Sequence, residues 1–266
     1  MAFIDTVVYV PLTSGLWCLP IECGGSDRYQ LYIAFKAASN LLSSIIKEAE
    51  KFPLPPPLTP PMKHMFPQIN KLSCFPDSTS FLEFEITDLL EFGFSRHLYT
   101  ASSSVGKLVL KLTRLYSPAL HLFCASRGYA PRLYAVERLP GGIIAVAMEH
   151  LEGDVLGSLP GLISSRLQDM WTHGLRNIVA AFHGEGLVHG DLRPLNHLRV
   201  KGSDRIVLLD FDWGGKLGEA SYPHVRLNPQ LAEHRDMSNL EITKEDDNRV
   251  LNKTLEYIEQ ITCNTT

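Results

Sequence analysis

The chain has 266 residues, of which 45% are hydrophobic and 20% charged, with a formal net charge of −4. This is the composition of an ordinary globular protein, long enough to bury one sizeable core or two small lobes that share an interface. So small a charge creates no field that would gather nucleic acid or an anionic membrane, and we expect neither as a partner.

Cysteine usage and the N-terminus predict an intracellular protein. The five cysteines are odd in number and form no CxxC pair, so we expect neither a disulfide framework nor a zinc site. The apolar N-terminus lacks a basic region, carries Asp5 and is interrupted by Pro11 and Pro20, unlike a signal peptide. No stretch supplies the roughly 20 apolar residues of a spanning helix. We therefore expect a soluble protein of the cytoplasm or nucleus.

Residues 1–62 predict an N-terminal extension. Within it, residues 29–51 favour a helix. Its apolar side would be formed by Tyr32, Phe35, Leu41, Leu42 and Ile45 or Ile46. Residues 52–62, FPLPPPLTPPM, predict an extended linker because prolines fix φ and remove backbone donors. We interpret the linker as a spacer, with a PxxP docking site as the alternative.

The rest of the chain changes from strands to helices. The runs FLEFEI, LLEFGF, SRHLYTAS, KLVLKLT, RLYAVERL and IIAVAME predict strands. Residues 117–127 predict a short helix among them, with Ser117 as N-cap and Pro118 in its first turn. Further helices are predicted over 165–182 and 243–262, the second beginning with the acids of TKEDD, which suit a helix N-terminus.

Two motifs between those helices carry the chemistry. Residues 189–196 read HGDLRPLN, and DFDWGG begins at Asp210 after the apolar run IVLL. Phosphoryl transfer needs a carboxylate for the acceptor hydroxyl, a second carboxylate and an amide oxygen for Mg²⁺, and cations for the phosphates. Asp191 and Asn196 have the spacing of the kinase loop H-R-D-L-x-x-x-N, and Asp210 stands where D-F-G has its metal-binding acid.

On these motifs, residues 65–250 resemble the protein-kinase-like superfamily. The HGD loop most resembles the fungal-type protein kinases, and aminoglycoside and choline phosphotransferases share it. The resemblance implies an α+β, two-lobed fold: a small antiparallel sheet over residues 63–150, and an abbreviated helical lobe over 151–266. Nucleotide would bind in the cleft between the lobes.

The resemblance also implies a role for each site residue. Asp191 would be the catalytic base, or the acid that orients the acceptor hydroxyl. Asn196 and Asp210 would ligate Mg²⁺. Arg193 would bind the γ-phosphate of ATP through its guanidinium fork. Lys111, within LVLKLT, would bind the α- and β-phosphates; a solvated strand lysine is the alternative.

The strand IIAVAME and the residues after it would form the nucleotide hinge. Met148 would lie beside the adenine, and backbone groups of Glu149 and Leu151 would bind its edge. An ordinary buried strand with a polar end is the alternative. His189 is interpreted as a structural hydrogen-bonding residue rather than a proton shuttle.

The chain departs from the kinase pattern in three places. The stretch LEFGFSRHLYTAS has only Gly93 where kinases have G-x-G-x-x-G. Residues 117–127 include no acid to pair with Lys111, which leaves Asp210 as an alternative partner. Asp212 replaces the glycine of D-F-G, either as a second Mg²⁺ ligand or as a turn cap, and no A-P-E segment follows.

The function predicted is ATP- and Mg²⁺-dependent phosphotransfer, with a Ser or Thr hydroxyl of a protein substrate favoured as acceptor. A small-molecule acceptor is one alternative. A pseudokinase that works as a scaffold through partners is the other, because of the three departures. Activity is favoured, since losing a helper residue weakens catalysis whereas losing a metal ligand removes it, and both metal ligands are present.

Overall fold

The structure is a computed structural model. It describes residues 25–49, 51, 67–92, 96–159, 161–223, 227–233, 235–236 and 238–262. The chain divides into two compact units, Met1–Pro67 and Gln68–Thr266. The predicted proline-rich linker lies outside the described residues, as does the tip of the LEFGFSRH segment at 93–95. The predicted division of the second unit at residue 150 stays a prediction.

The first unit contains one described helix, α1, at Gly25–Ala49. The predicted helix is confirmed, and it starts earlier than predicted. The side chains predicted for its apolar side are more than half exposed, as Phe35 at 68% and Leu42 at 61% illustrate. None of the described helices combines the length and apolarity that crossing a membrane requires.

The second unit begins with a six-stranded antiparallel sheet. Its strands are β1 Lys71–Ser73, β2 Phe81–Phe92, β3 Arg96–Ser103, β4 Gly106–Thr113, β5 Leu133–Arg138 and β6 Ile144–Glu149, in the order β1-β2-β3-β4-β6-β5. The predicted run FLEFEI and the described part of LLEFGF, up to Phe92, lie in the single strand β2, which has register shifts against β3 near Asp88 and Leu89.

The first and last strands of this sheet also meet. Cys74 bridges to Ala135 in antiparallel fashion, just beyond the end of β1. The backbone N–H and the hydroxyl of Ser73 donate to Glu137 Oε2 at 2.7 and 2.9 Å, and Phe75 N donates to the carbonyl of Tyr134 at 2.9 Å. These contacts give both edges of the sheet hydrogen-bond partners.

One face of β4 points toward the helix that follows it. Side chains alternate along a strand, so Val109, Lys111 and Thr113 share a face. Helix α2, Pro118–Ser126, begins as predicted: the Ser117 hydroxyl accepts from Leu120 N, and proline occupies the first turn.

The helical lobe is built around two long helices. Its elements are β7 Gly153–Val155, α3 Ser165–Gly184, β8 Leu187–Val188, β9 His197–Val200, β10 Ile206–Leu208, β11 Gly215–Lys216, α4 Pro229–Ala232 and α5 Lys244–Gln260. Trp171 and Phe182 of α3 and Leu251 of α5 belong to one buried core. The predicted α+β class and the order of sheet then helices are confirmed.

Candidate active site

Asp247, in the first turn of α5, binds the backbone of the loop 189–196. Its Oδ2 accepts from the backbone N–H of His189 and its Oδ1 from that of Gly190, both at 2.8 Å. His183 Nε2 lies 3.0 Å from Oδ2. Asp247 is 1% exposed, so these contacts take the place of water around the carboxylate. The sequence pattern missed this residue, because TKEDD was interpreted only as charge at a helix N-terminus.

Two further side chains fix the same loop. The Tyr222 hydroxyl donates to the carbonyl of Gly190, and the Thr254 hydroxyl donates to the carbonyl of Leu192, each at 2.8 Å. Both side chains are buried. The sequence predicted neither contact. Tyr222 lies 32 positions from Gly190 and Thr254 lies 62 positions from Leu192, and no local spacing links such distant residues to the motif.

Gly190 explains why the loop has glycine in the middle of HGD. Its φ is +82°, a conformation that side-chain-bearing residues rarely adopt. A Cβ at this position would lie 2.8 Å from Ile242 Cδ1 and 3.4 Å from Trp213 Cβ. The loop therefore has neither the backbone conformation nor the space for the arginine of H-R-D.

Asp191, Arg193 and Asn196 are brought together on the loop. The guanidinium of Arg193 forks onto Asp191, with Nε at 2.5 Å from Oδ1 and a terminal nitrogen at 2.7 Å from Oδ2. Asn196 Nδ2 donates to the carbonyl of Asp191 at 3.0 Å. The cation predicted for the γ-phosphate thus binds the predicted catalytic carboxylate in this structure.

Asp210 reaches the same place from the end of the β9–β10 hairpin. Leu209 N donates to the carbonyl of Asn196 at 2.8 Å, which ties the hairpin exit to the loop. Asp210 has a φ of +61°, and such a left-handed conformation costs about 1–3 kcal/mol in a non-glycine residue. It is retained because the next residue, Phe211, is buried and its ring stacks on His121 at 4.4 Å.

Lys111 joins the sheet to this site. It is 3% exposed, and its Nζ lies 2.7 Å from Asp210 Oδ1 and 2.6 Å from Asp212 Oδ1. The alternative of a solvated strand lysine is therefore wrong. The pairing with Asp210 that remained open in the absence of a helix acid is present, and Asp212 pairs with the same ammonium.

Asp212 is held on its other side by the sheet. The Thr113 hydroxyl donates to its Oδ2 at 3.1 Å. Burial raises the pKa of Asp212 to about 6, the negative charge of Asp210 adds to this effect, and Lys111 opposes it. Two carboxylates and one ammonium thus share a nearly dry site.

Helix α2 supplies a neutral ring rather than an acid. Burial lowers the pKa of His121 to about 4, so the ring is neutral near pH 7. Its Nε2 lies 2.8 Å from the carbonyl of Pro131 and its Nδ1 2.5 Å from the Tyr116 hydroxyl. A carbonyl only accepts, so Nε2 carries the proton and Nδ1 accepts from Tyr116.

Comparison with known proteins places this arrangement in a known fold. No protein-family model matches the sequence, and no curated protein matches it. Among solved structures, the kinase PK-1 of Cydia pomonella granulovirus is similar, with a TM-score of 0.51 and 15% identity over 66% of this chain and 70% of that one. The fold is protein-kinase-like. At this identity the likeness establishes the fold alone, and the fungal-type branch stays a prediction.

The residues predicted for the nucleotide hinge lie at the end of β6 and just after it. Met148, at 8% exposure, pairs with Val109 across the sheet. Glu149 N donates to the carbonyl of Arg132, and its Oε2 accepts from Arg132 N, at 2.9 and 3.1 Å. Leu151 follows at the start of the connection to β7. Met148 and Glu149 thus end β6 and Leu151 lies two residues beyond it, and the role of the three residues toward adenine stays a prediction.

The side chains at the base of the cleft suit a hard cation. Asn196 and Asp210 offer an amide and a carboxylate oxygen, the ligand type that Mg²⁺ takes. Since Asn196 Nδ2 faces the Asp191 carbonyl, its Oδ1 faces away from the loop. The described part of the chain has no group of three His, Cys, Asp or Glu residues able to hold a metal.

His189 is a packing residue in the structure. Its Nδ1 accepts from Asp191 N at 3.2 Å, and its ring meets Phe211 edge-on at 5.4 Å. Burial lowers its pKa, against the attraction of Asp247. These contacts agree with the predicted structural role.

Proposed function

We propose that the protein is an ATP- and Mg²⁺-dependent phosphotransferase that moves the γ-phosphoryl group of ATP to a hydroxyl. One observation carries the proposal: an ion pair and two hydrogen bonds link the segments that carry the four key residues. Lys111 pairs with Asp210, the backbone N–H of Leu209 donates to the backbone carbonyl of Asn196, and the Asn196 side chain donates to the backbone carbonyl of Asp191. Residues from the sheet, the loop and the hairpin thus converge where a kinase-like fold has its nucleotide cleft.

Each of these side chains has a distinct task in the proposed reaction. Asp210 and Asn196 hold Mg²⁺, which neutralises charge on the phosphates when it is bound. Lys111 binds the α- and β-phosphates. Asp191 orients the acceptor hydroxyl and takes its proton as the new P–O bond forms, while the bond from the γ-phosphorus to the β–γ bridging oxygen breaks and ADP leaves.

Arg193 links nucleotide binding to the availability of Asp191. Its fork occupies both carboxylate oxygens, and phosphate oxygens compete for the same donors. Contact with the γ-phosphate would draw the guanidinium away from at least one oxygen of Asp191. That oxygen would then accept the hydrogen of the acceptor hydroxyl.

A Ser or Thr side chain of a protein is the acceptor that we favour, as in the fungal-type protein kinases that the HGD loop resembles. Small-molecule phosphotransferases usually add large acidic insertions around the acceptor, whereas the segment here is short. Its last helix, α5, presents a polar outer side to water. The exposed residues on that side are Glu245, Asn248, Asn252 and Glu256.

A scaffold without catalysis is the second candidate, and a specific observation favours it. The charges of the site already neutralise one another: Lys111 pairs with Asp210 and Asp212, and Arg193 pairs with Asp191. A protein selected only for the shape of the fold would gain stability from this arrangement. Nucleotide binding distinguishes the two candidates.

The test is calorimetric titration of ATP with and without Mg²⁺ into the wild type, Asp210→Asn and Asp204→Asn. Asp204 is a matched control, since its side chain is exposed and its ion pair with Arg166 lies in solvent. We expect Mg²⁺-dependent binding by the wild type and the control, and loss of the Mg²⁺ dependence in Asp210→Asn. No binding by the wild type at millimolar ATP would contradict the enzyme and favour the scaffold.

Transfer itself is tested with γ-labelled ATP and two sets of acceptors, a mixture of protein substrates and a panel of small-molecule alcohols. Asp191→Asn should abolish transfer while nucleotide binding persists, because the carboxylate acts on the acceptor rather than on ATP. Label on small alcohols alone would replace the protein acceptor by a small molecule.

A further inference from the structure

We propose that Asp212 is the positioning residue for Lys111. In protein kinases the strand lysine is positioned by a glutamate of the neighbouring helix, and here that helix has none. The inference rests on the proposed phosphotransferase function. It assigns the task to the third residue of DFD, on the segment that follows the metal-binding acid.

The burial of Lys111 requires a lasting anionic partner. Its ammonium is 3% exposed, and an unpaired charge at such a site is strongly unfavourable. Asp210 is one partner, but in the proposed function its carboxylate also ligates Mg²⁺, which competes with the ammonium for the same oxygens. Asp212, at 2.6 Å from Nζ, would stay paired with Lys111 when the metal is bound.

The sheet holds Asp212 in the orientation that this task needs. The Thr113 hydroxyl lies 3.1 Å from its second oxygen and 3.2 Å from the carbonyl oxygen of Leu115, and it shares its one proton between these two acceptors. Thr113 is two residues after Lys111 in β4, so both side chains lie on the same face of one strand. The carboxylate therefore spans two neighbouring positions of β4, which fixes its distance to Lys111.

Helix α2 has no side chain that competes for Lys111. Its residues, PALHLFCAS, include no acid, and His121 is kept neutral and bonded to Tyr116 and Pro131. The ring of Tyr116, centred 5.7 Å from Nζ, packs near the ammonium from the helix side. The helix thus supplies packing, and the DFD segment supplies charge.

The same contacts argue against the two roles that the sequence left open for Asp212. Each oxygen of Asp212 already has a partner, the ammonium at Oδ1 and the Thr113 hydroxyl at Oδ2, so a second Mg²⁺ would compete with both for the same carboxylate. A turn cap would accept from nearby backbone N–H groups, whereas the Asp212 oxygens contact the side chains of Lys111 and Thr113 on β4.

A double-mutant cycle tests the proposal, with the wild type, Asp212→Asn, Lys111→Met and the double variant titrated with MgATP. If Asp212 acts through Lys111, Asp212→Asn weakens binding by about tenfold alone and adds no further loss in the Lys111→Met background. An equal loss in both backgrounds, with an altered Mg²⁺ dependence, would make Asp212 a metal ligand and overturn the proposal.

A second readout needs no nucleotide and therefore separates this inference from the proposed function. Lys111 labelling by an amine-reactive ester, followed by mass spectrometry, reports whether the ammonium is held. We expect slow labelling in the wild type, faster labelling in Asp212→Asn, and an intermediate rate in Thr113→Val, which keeps the shape but removes the hydroxyl. The exposed Lys107 is the internal reference.

Nucleotide binding and lysine labelling together distinguish failure of this inference from failure of the proposed function. If the wild type binds no ATP but Asp212→Asn speeds labelling of Lys111, the proposed function fails and the pairing stands. If ATP binds and neither Asp212→Asn nor Thr113→Val changes the labelling rate, the inference fails and the proposed function stands. Should Asp212→Asn not fold, Thr113→Val alone decides the outcome.

Discussion

At the scale of single residues, Asp247 does the most to hold the catalytic loop. Replacing it by alanine leaves the buried N–H groups of His189 and Gly190 without an acceptor, at about 1–3 kcal/mol each. We therefore predict that Asp247→Ala lowers the free energy of unfolding by about 2–5 kcal/mol, measured by urea denaturation. Glu245→Ala, in the exposed part of the same helical turn, should change it by less than about 0.5 kcal/mol. Equal losses in both would mean that acids of this turn act through the helix dipole.

Gly190 offers a second test at the same scale. Gly190→Ala should lower the free energy of unfolding by about 1–3 kcal/mol, because of its positive φ and because the new Cβ meets Ile242. Gly184→Ala is the matched control, since its Cβ meets nothing within 4 Å and its φ is not positive. A Gly190→Ala variant as stable as the wild type in thermal unfolding would show that the loop relaxes.

At the scale of elements, helix α5 positions Asp247 through its cap. Thr243 Oγ1 accepts from Asp246 N at 3.2 Å, and Asp246 Oδ2 accepts from Thr243 N at 3.0 Å. We predict that Thr243→Ala costs about 1 kcal/mol of stability. It should also speed hydrogen exchange at the amides of His189 and Gly190, because Asp247, in the turn that the cap begins, accepts from both N–H groups. Thr243→Ser keeps the hydroxyl and should restore slow exchange. Unchanged hydrogen exchange in Thr243→Ala would show that the helix cap does not influence the loop.

The long elements were predictable because each repeats its period several times. Short apolar runs bounded by turn residues identify β3 to β6, and helical spacing identifies α3 and α5. The strands β1, β7, β8 and β11 have only two or three residues each, too few to show a period. Tertiary pairing alone makes them strands.

The site was predictable where spacing along one segment fixes the geometry. Asp191 and Asn196 share a loop, so their proximity follows from the motif. The burial of Lys111 followed from its apolar neighbours on β4. The pairing of Lys111 with Asp212, and of Asp247 with the loop, joins residues about 100 and 58 positions apart. No local sequence pattern predicts such contacts. Asp247 was also missed because an acid in the first turn of a helix is usually solvated.

At the scale of the whole second unit, Gln68–Thr266, buried histidines couple folding to pH. Burial lowers the pKa of His121 to about 4 and of His197 to about 3, and lowers that of His189. Both ring nitrogens of His197 have no hydrogen-bond partner among the described residues. All three rings are therefore neutral in the folded protein at pH 7.

The sign of the pH effect follows from these shifts. Below about pH 6.5 the unfolded chain protonates these histidines while the folded protein does not, so stability is complete above that pH and is lost as pH falls toward the folded pKa. We predict that His121 and His197 each lower the free energy of unfolding by about 1.4 kcal/mol per pH unit as pH falls from 6 to 4.5, measured by urea denaturation.

His197→Phe isolates one of these contributions. Because neither ring nitrogen of His197 has a partner, an apolar ring of similar shape loses no hydrogen bond there. The slope of stability against pH should become shallower by about 1.4 kcal/mol per pH unit, and His173→Phe, at an exposed position of α3, should leave it unchanged. Asp212, whose raised pKa acts in the opposite direction, is present in all three proteins, so its effect cancels in the difference. An unaltered slope in His197→Phe would mean that His197 is charged, or solvated, in the folded protein.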